Sequence, residues 1–167
     1  MSVNNFLPHV LVIPEDAANR EIANGFVLDN RVQETRIQIM LESGGWSKVL
    51  DTFIDQQIKL MRKFTDRRIV LLIDFDDQIA VRQTRFCDAI PADLADRVFV
   101  IGVGSNPENL RAACNKKFEP IGETLSKECA ENTQELWAHQ LLRHNAAELA
   151  RLNKDVKPFL FKKIKLP

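Results

Sequence analysis

The feature that most constrains this chain is an uninterrupted apolar run that ends in paired acids. Residues 68–74 read RIVLLID, without the polar–apolar alternation of a strand that has one face in water. Strands that are apolar on both faces are buried between layers, which is the usual setting of a parallel sheet. Asp74 and Asp76 end the run in the sequence LLIDFDD. The pattern predicts a layered α/β protein with polar chemistry at one edge of its sheet.

Strand-like and helix-like segments alternate along the rest of the chain. Three further short segments predict strands, at residues 8–14, 36–41 and 97–103. Amphipathic or capped segments predict helices at residues 16–24, 46–64, 121–130 and 133–152, with Asp16 as the first cap and Gly25 as the first stop. The predicted fold is a mainly parallel sheet of about four strands, with helices on both faces and additional C-terminal helices.

Length and composition indicate an ordinary globular domain. The chain has 167 residues, of which 45% are hydrophobic and 28% are charged. No stretch approaches the roughly 20 apolar residues that span a membrane, and the first residues lack the pattern of a secretory signal. Three widely spaced cysteines are typical of reduced thiols. We therefore expect a cytoplasmic protein without a membrane segment.

Charge is distributed unevenly, although the whole chain is neutral. From residue 151 onward there are six basic residues and one acid. We assign residues 1–150 to the α/β domain with its C-terminal helices and residues 151–167 to a basic tail. Within that tail, Lys162 and Lys163 are candidates for contact with nucleic-acid phosphate or with an acidic partner. A tail that only improves solubility is the alternative.

Carboxylates follow two of the predicted strands. Glu15 and Asp16 come after the first strand, and Asp74 and Asp76 come after the most apolar one. The carboxyl ends of parallel strands meet at one edge, where ligands of such sheets bind. Clustered carboxylates raise one another's pKa, and Mg²⁺, which prefers oxygen ligands, removes the repulsion. Residues two apart on a strand share a face, so we predict that Asp74 and Asp76 share an ion while Phe75 packs inward. A helix cap and a polar loop are the alternative.

An acid after the first strand and an Asp-x-Asp after a later one resemble the TOPRIM domain. That domain occurs in topoisomerases, bacterial primases and the overcoming-lysogenization-defect nucleases. The resemblance covers roughly residues 8–105, with the family's Glu falling on Glu15 and its Asp-x-Asp falling on Asp74 and Asp76. A glycine pair at residues 44–45, ahead of a long amphipathic segment, is similar to the nuclease branch of the family.

The resemblance implies a site that binds Mg²⁺ or Mn²⁺ and cleaves or rejoins phosphodiesters of nucleic acid. Asp74 and Asp76 would ligate the metal, and Glu15 would ligate it or accept a proton from water. Arg20 would face the phosphate, and an ion pair with Asp16 is the alternative. The resemblance also implies a protein partner, an ATPase or a sensor, as in defence against phage.

Two other functions fit the same residues. A receiver-like phosphoacceptor domain also gathers acids after its first and third strands, and Asp74 would then accept the phosphate. The residues of that pocket would be Glu15, Asp16, Asp74, Ser105 and Lys116 or Lys117. A non-catalytic module would instead bind a partner through Trp137, the final helix and the apolar, basic tail that contains Phe159 and Phe161.

Overall fold

A four-stranded, wholly parallel sheet forms the centre of the computed structural model, which describes residues 2–163. The strands are β1 (His9–Pro14), β2 (Ile37–Ile39), β3 (Arg67–Leu72) and β4 (Val98–Ile101). Their spatial order is β2-β1-β3-β4, so the two most apolar strands, β1 and β3, lie in the middle. The predicted parallel sheet of about four strands is confirmed.

Helices cover both faces of this sheet, as the sequence predicts. In chain order they are α1 (Ala17–Val27), α2 (Trp46–Thr52), α3 (Ile58–Lys63), α4 (Ile79–Ala89), α5 (Pro107–Cys114), α6 (Phe118–Glu131), α7 (Ala146–Asp155) and α8 (Lys157–Leu160). One buried cluster joins α1, α5, α6, α7 and α8 to one face, and a second cluster joins α2, α3 and α4 to the other. The additional C-terminal helices are also confirmed.

Alternation along the central strands produces these two clusters. Val10 and Val12 of β1 lie in the first cluster, whereas Leu11 and Ile13 lie in the second. Successive side chains of a strand point to opposite faces, so a strand covered on both sides must be apolar throughout. Within the described residues, no helix is long and apolar enough to cross a membrane.

Helix α1 differs from its predicted extent at one glycine. Asp16 caps the helix as predicted, because its carboxylate accepts the N–H of Asn19 at 2.8 Å. Gly25, however, lies inside the helix, so its prediction as a stop is wrong. A Cβ atom on Gly25 would lie 2.0 Å from the carbonyl oxygen of Glu119, and one on Gly122 would lie equally close to α1. These glycines let α1 and α6 pack backbone to backbone.

The predicted helix over residues 46–64 forms with one irregularity. A π-helical turn, Phe53–Gln57, separates α2 from α3. Phe53 packs fully inside the core, and Gln57, at the end of the turn, is also buried. Single π turns inside helices adjust which side chains face the interior, and they are frequent at functional positions. Here the turn carries a polar side chain into the protein.

The single helix predicted over residues 133–152 is wrong. Helix α6 ends at Glu131, the next residue, Asn132, has a left-handed backbone with φ of 57°, and the chain then runs through turns to α7. The buried carboxylate of Glu128 accepts the backbone N–H groups of Leu136 at 2.6 Å and of Trp137 at 3.1 Å. These tertiary hydrogen bonds replace the local ones that a helix requires, and a helical pattern in the sequence cannot reveal them.

The segment after residue 150 begins inside α7 and continues as part of the fold. Phe161 pairs with Val32 in an isolated antiparallel bridge and is buried. Trp137, the other aromatic residue considered for a partner interface, is buried as well. Lys162 and Lys163 are exposed, and residues 164–167 of the predicted tail lie outside the described residues.

Candidate acidic site

Two predicted acids meet at the carboxyl edge of the sheet. Glu15 directly follows β1, and Asp74 stands two residues beyond β3, the neighbouring strand. The side chain of Glu15 accepts the backbone N–H of Asp74 at 2.7 Å. Glu15 is 9% exposed and Asp74 is 7% exposed, so both carboxyl groups are largely removed from water. We call this pair, Glu15 and Asp74, the acidic site.

Burial dominates the electrostatics of the acidic site. Loss of solvent raises the pKa of Asp74 to about 7, and the neighbouring charge of Glu15 acts in the same direction. Burial also raises the pKa of Glu15, against a lowering effect from its hydrogen bond to the Asp74 N–H. Near neutral pH, Asp74 is therefore present in both its protonated and its ionised form.

Asn19 is the residue that joins the acidic site to α1. Its side-chain nitrogen donates to Asp74 at 2.7 Å and to Asp16 at 3.0 Å. The side chain is fully buried, and its amide oxygen has no hydrogen-bond partner among the described residues. No sequence pattern predicted a role for Asn19 at this site. The sequence signal that could have indicated Asn19 is its position three residues after the Asp16 cap. A side chain in the first turn of α1 lies close to the carboxyl edge of the sheet.

Asp76 takes a different position from the one predicted. Strand β3 ends at Leu72, and Asp76 has a left-handed backbone with φ of 47°, so the same-face rule for strands does not apply to it. Its backbone N–H is held by the carbonyl of Ser105 at 3.0 Å. Phe75 is fully buried, which confirms its predicted inward packing. The half-exposed carboxylate of Asp76 forms an ion pair with Arg82 at 3.0 Å.

Arg82 is a second residue that sequence analysis missed. It lies in the first turns of α4 and donates to the Asp74 carbonyl at 2.8 Å as well as to the carboxylate of Asp76. Its guanidinium carbon is 4.5 Å from the centre of the Trp46 ring. The only signal in the sequence was an arginine shortly after the Asp-x-Asp, because the contact with Trp46 comes from a distant segment.

The predicted nucleic-acid contacts separate into two regions. Arg20 lies near the acidic site and pairs with Glu42 at 3.2 Å, instead of with Asp16. Glu42 follows β2, so this pair stands at the carboxyl edge. Lys162 donates to the carbonyl of Asn30 at 2.8 Å, beyond the end of α1. Because α1 runs from the carboxyl edge to the amino edge, Lys162 and Lys163 lie at the other end of the sheet.

Of the residues predicted for the receiver-like pocket, Lys116 lies apart from the others. Ser105 is buried next to the Asp76 loop, where its hydroxyl accepts a hydrogen bond from Asn109 at 3.1 Å. Lys116 donates to the hydroxyl of Thr124 on α6 at 3.1 Å. The lysine is thus engaged on a helix face, whereas a phosphorylated Asp74 would need it at the carboxyl edge.

The donor chemistry of the acidic site fits a hard divalent cation. Glu15 and Asp74 supply carboxylate oxygens, and the amide nitrogen of Asn19 donates a hydrogen bond to Asp74. Mg²⁺ is commonly held by one or two carboxylates, with water and substrate phosphate completing its shell. Across residues 2–163, no group of three or more His, Cys, Asp or Glu side chains is placed to hold a metal. The acidic site therefore offers two carboxylate ligands, Glu15 and Asp74, whereas the sequence predicted a third, Asp76.

The chain was compared with protein families, curated proteins and solved structures. No protein-family model, no curated protein and no solved structure matches this chain. The resemblance to TOPRIM domains stays a prediction from the sequence positions of Glu15, Asp74 and Asp76.

Proposed function

We propose that this protein is a Mg²⁺- or Mn²⁺-dependent enzyme of the TOPRIM type that cleaves phosphodiester bonds in nucleic acid. The observation that carries the proposal is the buried pair of carboxyl groups at the acidic site. Their direct hydrogen-bond partners are neutral: the Asp74 N–H for Glu15 and the Asn19 amide for Asp74. Ionising both groups without a cation is costly, and a divalent ion compensates both charges.

The chain's own groups supply distinct roles at this site. Asp74 would ligate the ion, and because burial raises its pKa to about 7 in the metal-free protein, binding of the ion would release its proton near neutral pH. Glu15 is held in place by the Asp74 N–H, so it offers a fixed oxygen ligand. A bound Mg²⁺ or Mn²⁺ would polarise the phosphate and lower the pKa of a coordinated water. Arg20, which pairs with Glu42 at the same edge, would attract the phosphate backbone.

The proposal includes a protein partner, an ATPase or a sensor, with phage defence as the setting that the resemblance suggests. Two exposed apolar side chains support a contact surface near the acidic site. Leu41, which follows β2, is 72% exposed, and Val81, in the first turn of α4, is 65% exposed. Both stand at the carboxyl edge, so a partner bound there would cover the substrate entrance.

A cleavage assay tests the proposal directly. Supercoiled plasmid, single-stranded DNA and RNA are incubated with the protein and Mg²⁺ or Mn²⁺. We expect metal-dependent products, and we expect Asp74→Asn and Glu15→Gln each to lower the rate about 100-fold or more, since each removes a proton acceptor or a ligand.

Asp77→Asn is the matched control for this assay. Asp77 is an exposed neighbour with a left-handed backbone, φ of 59°, which asparagine also adopts readily. Its variant should keep activity within about threefold of the wild type. Cleavage that persists unchanged in Asp74→Asn, or that falls equally in Asp77→Asn, contradicts the assignment of the acidic site.

A further inference from the structure

The guanidinium of Arg82 is restrained on several sides. One terminal nitrogen donates to the backbone carbonyl of Asp74, and the other donates to the carboxylate of Asp76. The group also stacks over Trp46, with 4.5 Å between the guanidinium carbon and the ring centre. Arg82 is only 7% exposed, so its guanidinium holds a fixed position at the carboxyl edge of the sheet.

These restraints make Arg82 hard to displace. A hydrogen bond between two charged groups is stronger than a neutral one, and stacking on an aromatic face adds to it in a water-poor setting. A second metal ion that recruited Asp76 would have to break the ion pair and leave a buried guanidinium without its carboxylate. One oxygen of the half-exposed Asp76 carboxylate is therefore already paired with a cation that belongs to the chain.

We infer that Arg82 replaces one metal ion of a two-metal site, so that the protein holds one divalent ion, at Glu15 and Asp74. The inference rests on the proposed function, since it specifies how many ions that site uses. Two-metal phosphodiester enzymes place their ions about 3.5–4 Å apart and need carboxylates for both. Here the second positive charge is a guanidinium, whose planar fork is well suited to phosphate oxygens.

The division of labour between the two aspartates follows from this arrangement. Asp74 ligates the ion directly, whereas Asp76 positions Arg82. Removing the charge of Asp76 should leave the ion in place, because an asparagine there still accepts a hydrogen bond from Arg82. Removing the guanidinium should instead free the Asp76 carboxylate to take part in binding a further ion.

Titration of the protein with Mn²⁺, by calorimetry and by electron paramagnetic resonance, tests the number of ions. We expect one Mn²⁺ per chain for the wild type and about 100-fold weaker binding for Asp74→Asn. Asp76→Asn should keep one ion with an affinity within about threefold of the wild type. Arg82→Gln should bind a second Mn²⁺, and Arg82→Lys, which restores the charge, should return the count to one.

The outcomes separate this inference from the proposed function. Two ions in the wild type, or loss of Mn²⁺ in Asp76→Asn equal to that in Asp74→Asn, overturns the role of Arg82 while a metal-dependent activity still stands. An Arg82→Gln protein that is folded, by its thermal transition, but binds one ion also overturns it. If that variant does not fold, the comparison of the two aspartate variants decides alone. No Mn²⁺ binding in the wild type overturns the proposed function and this inference together.

Discussion

The two ends of the parallel sheet bury charge in opposite ways. At the carboxyl edge, Glu15 and Asp74 lie close together with neutral groups as their direct partners. At the amino edge, the guanidinium of Arg67 is 5% exposed, and none of its hydrogen-bond partners among the described residues is a carboxylate. The acidic site is a pair of neighbouring carboxyl groups, whereas Arg67 is a buried positive charge with neutral partners.

The amino edge is closed by complete hydrogen bonding. Arg67 donates to His9 at 3.1 Å, to Gln57 at 3.1 Å and to Asn5 at 2.8 Å. His9 contacts the carbonyl of Leu7 through Nδ1 at 2.7 Å, so Nδ1 carries the proton and Nε2 accepts from Arg67. Burial lowers the pKa of His9, which favours this neutral form. The π turn supplies Gln57 at the position that the guanidinium requires.

The contrast distinguishes a structural charge from a functional one. The Arg67 guanidinium donates hydrogen bonds to three acceptors, so it does not need a bound ligand to satisfy it. Burial raises the pKa of both carboxyl groups of the acidic site, and a cation bound there would compensate their charges. Buried charge by itself therefore does not identify a site; the state of its hydrogen-bond partners does.

Removing Arg67 should have the largest effect on stability. Arg67→Ala leaves three acceptors at the amino edge without their donor, and we expect it to lower the free energy of unfolding by about 4 kcal/mol. Urea denaturation followed by circular dichroism measures the change. Arg62→Ala is the control, since Arg62 is exposed and pairs with Asp93 at the surface, and we expect about 0.5 kcal/mol or less there. Equal losses in the two variants would refute a structural role for Arg67.

Neutralising Asp74 should raise the stability of the protein, whereas removing Arg67 lowers it. In the folded protein Asp74 keeps its proton up to about pH 7, whereas the ordinary value for the unfolded chain is 3.8. Between these pH values the folded state binds more protons, so stability falls as pH rises through this window. With a chelator present to keep the protein metal-free, we expect Asp74→Asn to stabilise it by about 3 kcal/mol at pH 8 and by little at pH 4. A destabilised Asp74→Asn protein at pH 8 would contradict the strain assigned to this edge.

Supplying a carboxylate to the amino edge should have the smallest effect. Gln57→Glu places an acid within hydrogen-bond reach of Arg67, but the new charge must be buried as well. Desolvation and attraction nearly cancel in such pairs, so we expect a change within about 1 kcal/mol in either direction at pH 7. The same urea titration serves as the measurement. Stabilisation well beyond that range would mean that Arg67 lacks compensation in the native protein, and the contrast between the two edges would disappear.

Much of the fold was predictable because it follows from local patterns. Apolar runs without alternation identified β1 and β3 as central strands, and the alternating order of elements indicated a parallel sheet. The helix over residues 133–152 was not predictable, because the carboxylate of Glu128 captures the backbone N–H groups of a neighbouring turn. Gly25 was misassigned for a related reason: its close contact is with α6, almost a hundred positions away in the chain.

The sequence by itself determined which residues stand at the carboxyl edge, since strand ends and helix starts are local properties. Glu15, Asp74 and Asp76 could be selected from their positions after apolar runs. Only the tertiary structure decided how these acids are partnered: Asn19 reaches Asp74 across 55 positions, and Arg82 pairs with Asp76. A sequence pattern specifies which face or edge a side chain occupies, but a hydrogen bond depends on the packing of separate elements to within a few tenths of an ångström.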